Sequence, residues 1–139
     1  WDLGIFFPDC TYLCGSGWHW NDRVPGRSEL SKEALTFVLF LLNANIKRIA
    51  LENPIGRIST LIRKPTQIVQ PYNFGDDASK ATCLWLKNLP KLTPTRYIEP
   101  RIVIYKGKRV KRWANQTDSG QNRLGPSTDR WKERSRTEL

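Results

Sequence analysis

The chain has 139 residues, 39% of them apolar, with 23 Lys and Arg against 13 Asp and Glu for a net charge of +10. That length suits a single domain, and that charge favours a polyanionic partner, nucleic acid above all. The composition excludes two classes: three Cys without a leader argue against a disulfide scaffold, and the longest apolar run, residues 37–42, falls far short of the roughly 18 residues of a membrane span.

Residues 2–7 are an apolar run bounded by breakers, which predicts a buried strand. A polar loop over 8–27 follows, with Pro8, Gly15, Gly17, Pro25 and Gly26. It carries Cys10, Cys14 and the cluster Trp18-His19-Trp20. A helix is expected from a cap at Ser28 or Ser31 to about Asn43. Glu29 and Glu33 stand in its first turn, and Leu30, Ala34, Leu35, Val38, Leu41 and Leu42 form its apolar face. Residues 46–51 are the next strand, ended by Glu52-Asn53-Pro54.

Strand, helix and strand make one βαβ unit with parallel strands. Parallel strands place both C-terminal ends on one edge, where open α/β sheets bind ligands. Cys10 after the first strand and Glu52 after the second are then expected to face one cleft, their side chains within about 10 Å, the span of a bound cytosine ring.

Further along, residues 59–70 read as a loop or short helix, and Tyr72-Asn73-Phe74-Gly75 as a turn. A strand covers 82–86, with Lys80 just before it and Cys83 inside it as core packing. Residues 89–100 hold three Pro and read as a crossing segment. A β-hairpin is predicted from 101–105 and 109–113 around Lys106-Gly107-Lys108. The organisation expected is a catalytic α/β domain over 1–113 and a basic polar tail over 114–139. In the tail, Leu124 and Trp131 are the candidate anchors, and one helical turn is expected near 129–134. Charge concentrates late: residues 1–100 carry twelve basic and nine acidic side chains, whereas 101–139 carry eleven and four.

A Cys and a Glu on one cleft beside a basic surface suit covalent catalysis on an electron-poor ring. On a flipped cytosine the thiolate adds to C6, the acid meets N3, and C5 becomes nucleophilic. Phe7-Pro8-Asp9-Cys10 with its Gly/Ser loop, and Leu51-Glu52-Asn53-Pro54-x-Gly56, resemble the Pro-Cys and Glu-Asn motifs of DNA cytosine-5 methyltransferases. The stretches from Ser79 to Lys87 and from Trp113 to Arg136 are similar to the short phage and prophage members of that family. The resemblance implies a partial Rossmann-like methyltransferase fold. It makes Cys10 the nucleophile and Glu52 the acid at N3. Asn53 and Lys80 become substrate-binding residues, Asn53 through the turn behind Glu52. Lys106, Lys108, Arg109, Lys111 and Arg112 then hold the DNA backbone, which positions without specifying.

The resemblance also implies S-adenosylmethionine as methyl donor, DNA as partner, no membrane association, and the cytoplasm of a bacterium or phage-infected cell. The chain departs from the family pattern in two places. Asp9 stands between Pro8 and Cys10, where its carboxylate opposes the thiolate. The family's glycine-rich cofactor segment would precede Trp1, and the last family helix would follow Thr137-Glu138-Leu139. The expectation is therefore a catalytic portion, inactive alone, that a second chain or copy completes. The alternative is a non-catalytic DNA-binding or structural remnant. Blander readings stand beside these: a zinc site from Cys10, Cys14, His19 and Cys83, Glu52 as a turn cap, Trp18-His19-Trp20 as a packing lid, and the tail as a solvated segment.

Overall fold

The computed structural model describes residues 1–123. The chain is mixed α/β and forms two compact units, Trp1–Val69 with Thr82–Leu92, and Gln70–Ala81 with Thr93–Leu139.

The first unit holds a four-stranded sheet in the order β1-β2-β4-β3, with β1 Leu3–Phe6, β2 Arg48–Pro54, β3 Gln67–Val69 and β4 Thr82–Lys87. β1 and β2 are parallel, in the register Phe6 opposite Leu51, as the βαβ reading requires. The sequence left the direction of the remaining strands open. β4 runs antiparallel to both β2 and β3, so the sheet is mixed. β3 lies where a loop or short helix is expected over 59–70; three residues are too few to show a period.

β1 is not a buried strand. β2 is its sole strand neighbour among the described residues, and Leu3 and Ile5 are exposed on one of its faces. β2 runs on through Pro54, which pairs with Thr82 as the last rung. Glu52 therefore lies within the strand, opposite Leu84, rather than in the loop beyond it. Proline is tolerated at that terminal position, where one missing donor costs the ladder little.

α1 spans Arg27–Leu42 between the parallel strands. Its inward stripe is Ser31, Ala34, Leu35, Val38, Leu41 and Leu42, at the i, i+3, i+4 spacing of one helix face. Leu30 is exposed and falls outside that stripe. The helix begins at Gly26, which takes φ +75 and gives no side-chain cap. Neither Ser28 nor Ser31 caps it. Ser31 is buried, donates to the Tyr12 carbonyl at 2.8 Å and accepts from Arg57 Nη1 at 2.6 Å. At the other end Asn43 donates twice to the Leu39 carbonyl, from its N–H at 3.1 Å and from Nδ2 at 2.8 Å.

Val38 and Leu42 meet Leu51, Cys83 and Trp85 of the sheet, Leu13 of the loop after β1, and Ile58 of α2, Arg57–Leu61. Leu51 and Trp85 are register partners, as are Asn53 and Cys83, so these four share the sheet face that α1 covers. Each fully buried aliphatic side chain contributes about 1.5–3 kcal/mol. The Trp85 indole also donates to the Arg63 carbonyl at 2.9 Å, which ties the segment after α2 to the core.

The second unit is held differently. Its hairpin pairs β5, Arg101–Tyr105, with β6, Lys108–Arg112. The loop is Lys106-Gly107, with φ +49 and +73, the signature of a two-residue type I′ turn. Trp113 stacks on Tyr72 at 4.0 Å between ring centroids and donates to the Ile98 carbonyl. Tyr97 meets the same Tyr72 edge-on at 5.8 Å. Asn115 clamps Ser79 from both sides, accepting from its N–H at 2.9 Å and donating to its carbonyl at 3.0 Å.

Residues 114–123 are irregular yet hydrogen-bonded, with Thr117 N–H on Gln121 and Arg123 N–H on Asn115. The helical turn expected near 129–134 and the anchors Leu124 and Trp131 lie outside the described residues. No helix among the described residues is long and apolar enough to cross a membrane.

Candidate active site

Cys10 opens a tight turn just after β1. The N–H groups of Leu13 and Cys14 both donate to its carbonyl, at 3.0 and 2.9 Å. Asp9 sets the entry: its Oδ1 accepts from the Thr11 N–H at 2.8 Å and from the Thr11 hydroxyl at 2.6 Å. This is the side-chain turn that Asp forms with the residue two ahead. Leu13 plugs into the core and Cys14 faces Ser16, Sγ to Oγ 3.2 Å.

Two fastenings hold this turn against β2. The first is Asn53, which is 1% exposed and donates from Nδ2 to the Pro8 carbonyl at 2.8 Å. That carbonyl fixes which end of the amide is which, and it leaves Oδ1 buried with no hydrogen-bond partner among the described residues. The second is the segment after β2. Arg57 N–H donates to the Leu13 carbonyl at 2.8 Å, and Cys14 bridges Gly56. A Cβ at Gly56 would collide with the Leu13 carbonyl oxygen and come 2.9 Å from Cys14 Cα. Gly56 in Glu52-Asn53-Pro54-x-Gly56 thus has a physical reason: the two backbones touch there.

Two arginines brace the same loop. Arg27 reaches the Thr11 carbonyl at 2.9 Å and lies over the Tyr12 ring at 4.9 Å. Arg57 bonds Ser31 and lies 5.5 Å from the Trp18 ring centroid. Sequence reasoning missed Ser31, Arg27 and Arg57 as supports of this loop. The one available signal was a Ser on the apolar stripe of α1, a buried hydroxyl in need of a partner.

Cys10 and Glu52 come within electrostatic reach of each other. The Cys10 thiol is pushed above its ordinary value of 9.0, first by burial, then by Cys14, Asp9 and Glu52. Glu52 acts in the same sense on Cys83, whose thiol burial also raises, with the Ser59 hydroxyl opposing. Glu52 thus acts electrostatically on both a half-buried thiol at the loop and a buried one in β4. Asp9 itself is held below the usual carboxylate range, by the Thr11 hydroxyl first and the Thr11 N–H second. It is therefore a standing negative charge beside Cys10 at neutral pH.

Lys80 belongs to the second unit, where its N–H donates to Gln70 Oε1 at 2.9 Å. The hairpin cations separate by register. Arg109 and Lys111 lie opposite Ile104 and Ile102 on one face, whereas Lys108 and Arg112 lie opposite Tyr105 and Arg101 on the other. Arg112 is engaged within the unit, donating to the Asp118 and Lys111 carbonyls. Arg101 pairs with the Asp118 carboxylate at 2.7 Å. Lys106 at the turn lies over the Tyr105 ring at 5.5 Å.

Trp18 and Trp20 are both about half exposed on the 3₁₀ helix Gly15–Trp20. Trp113, an aromatic at the end of the basic hairpin, is buried against Tyr72. Among the described residues no group of three or more His, Cys, Asp and Glu is placed to share a metal ion, so Cys10, Cys14, His19 and Cys83 do not converge.

S-adenosylmethionine needs an open backbone cradle of the kind glycines give. A Cβ on Gly17 would meet Arg27 Nη2 at 2.8 Å, whereas one on Gly15 would make only ordinary contact with the Ile55 carbonyl at 3.8 Å. The space beside Gly17 is taken by the Arg27 guanidinium. These residues do not form the open backbone cradle such a cofactor needs, and no step below runs through it. Comparison with protein-family models, curated proteins and solved structures gives no match.

Proposed function

We propose that the chain carries the cytosine-activating part of DNA cytosine-5 methyl transfer, with Cys10 as nucleophile and Glu52 as acid. The observation that carries this reading is the Asn53 to Pro8 hydrogen bond. Together with the register Phe6 to Leu51, it fastens the Cys10 turn beside the strand that bears Glu52. The parallel β1-α1-β2 unit agrees with part of a Rossmann-like methyltransferase fold, and the basic hairpin with a DNA partner.

The chemistry available to these two residues needs no second reactant. The Cys10 thiol loses its proton to water, and the sulfur bonds to C6 of an unstacked cytosine. The C5–C6 π pair moves onto C5 as Glu52 delivers a proton to N3. C5 then takes a proton from water. Loss of the original C5 hydrogen as a proton, return of the N3 proton to Glu52 and cleavage of the S–C6 bond restore base and thiol. The net change is exchange of the C5 hydrogen, with nothing oxidised or reduced.

The test is release of tritium from duplex DNA carrying 5-tritiated cytosine, with no methyl donor present. The 139-residue chain is expected to release it. Cys10→Ser should abolish release, and Glu52→Gln should slow it by about 10²–10⁴-fold, the usual worth of a positioned acid. Release unchanged in Cys10→Ser would sink the proposal. One observation favours the second reading, a non-catalytic DNA-binding remnant: burial first, then Cys14, Asp9 and Glu52, raise the Cys10 thiol above its ordinary value, against an opposing backbone hydrogen bond. No release by the unmodified chain, with DNA binding retained, decides for that reading.

A further inference from the structure

Among the described residues the β5–β6 hairpin is alone in its sheet, and its two faces differ in what covers them. Its cross-strand register sorts the side chains. One face carries Arg101 with Arg112, Val103 with Val110, and Tyr105 with Lys108. All of these but Lys108 are part-buried, and Arg101 and Arg112 hold the loop around Asp118. This is the inward face. The other carries Ile102 with Lys111, and Ile104 with Arg109. All four are exposed, Ile104 at 66% and Ile102 at 48%.

Two isoleucines on an open ribbon face are an anomaly if that face meets only water. A strand face meant for solvent carries polar residues, and on β5 the positions that alternate outward are the apolar ones, Ile102 and Ile104. The flanking charges say what the face meets. Residues 101–112 contain Arg101, Lys106, Lys108, Arg109, Lys111 and Arg112, and no acidic residue. Such a surface repels a basic or neutral partner's cations and suits a polyanion that also offers apolar edges. Duplex DNA does: the major groove is about 12 Å wide, admits a two-stranded β-ribbon, and exposes the thymine C5-methyl group. A five-residue strand spans about 17 Å, enough to follow the groove over several base pairs.

We infer that the outer face of this hairpin reads duplex DNA from the major groove, with Ile102 and Ile104 against thymine methyl groups and Arg109 and Lys111 on the flanking guanine edges or phosphates. This rests on DNA being the partner, and it goes beyond backbone holding. The ribbon supplies a sequence preference, for thymine-bearing steps, by apolar contact. The inward cation Arg112 takes no part in it.

The experiment measures binding of the full 139-residue chain by fluorescence anisotropy. It uses two A·T-rich duplexes identical except that one has deoxyuridine for every thymidine. The thymine duplex should bind tighter, by about fourfold for each methyl group covered. Ile102→Ser with Ile104→Ser should erase that difference and leave the salt dependence in place. Ile104→Ser alone, at the more exposed position, should halve it on a logarithmic scale. Arg109→Gln with Lys111→Gln should lower the slope of log K against log salt by about two.

Equal affinity for the two duplexes, or a thymine preference that survives the double Ile variant, overturns the inference. So does an RNA duplex of the same sequence binding as well as DNA, because the A-form major groove is too deep and narrow for a ribbon. The readout is independent of Cys10 chemistry. Tritium release without a thymine preference sinks the hairpin reading alone. A thymine preference without tritium release sinks the catalytic one alone.

Discussion

The two units are built from the same alphabet by different physics. The first buries aliphatic side chains between a sheet and a helix, with Val38, Ile49, Leu51, Ile58 and Trp85 at 1% exposure or less. Among the described residues the second buries Pro71, Ala78 and Trp113, and is stitched by side-chain amides and aromatic stacking. The proposed function would give this contrast a sense. Covalent chemistry needs a nucleophile and an acid held to within a fraction of an ångström, and a packed aliphatic core supplies that stiffness. A surface that follows a polyanion needs its cations and apolar tips outside, and so has less to bury.

The sharpest way to break this contrast is to empty one core and watch the other unit. Trp85→Ala removes the largest fully buried side chain of the first unit and orphans the Arg63 carbonyl. The expected loss is about 3–5 kcal/mol. Amide hydrogen exchange should report it at residues 48–54 and 82–87, with residues 101–112 little changed. Equal deprotection of the hairpin would mean that the two units unfold as one body.

A smaller effect is expected where polar stitching replaces packing. Asn115→Ala strands the N–H and the carbonyl of Ser79 together. Each buried orphan costs about 1–3 kcal/mol, and water entering the gap softens that. The Ser79 amide should lose protection while residues 48–54 keep theirs. Asn115→Asp, which keeps an acceptor for the Ser79 N–H, should recover part of the loss.

The smallest effect sharpens the comparison at the thiol. Burial, Cys14, Asp9 and Glu52 all raise Cys10 from its ordinary value. A raised acid is protonated over a wider range, so alkylation by iodoacetamide should stay slow at neutral pH and rise only above pH 9. The associated stability is fully present below the unfolded thiol value and is lost as pH rises through the folded one. Asp9→Asn removes one repulsive charge and should move the alkylation midpoint down by less than burial alone moved it up. A midpoint at or below the ordinary thiol value would show that the turn does not hold Cys10 as described.

The sequence by itself determined the elements with a clear period or a sharp boundary. β1, α1, β2, β4 and the hairpin were all legible, because each carries its own repeat or its own turn residues. Parallel pairing of β1 and β2 followed from the helix between them, since a crossover leaves little other choice. The candidate pair Cys10 and Glu52 was legible as motif and order. What only the tertiary structure decided lies in long-range pairing. β4 could have run either way beside β2, and nothing within Thr82-Cys83-Leu84-Trp85 records its direction. β3 exists because Gln67–Val69 find an open edge of β4, not because those three residues prefer a strand.

The same reason explains the supports of the site. Ser31, Arg57 and Gly56 are distant from Cys10 along the chain and meet its turn only once α1 and β2 pack. It also explains Trp113: an aromatic in a basic segment reads as a nucleic-acid contact until the ring that covers it, Tyr72, is brought in from forty-one positions earlier. Local patterns record what one segment can become; which groups end up facing each other is a property of the packed chain.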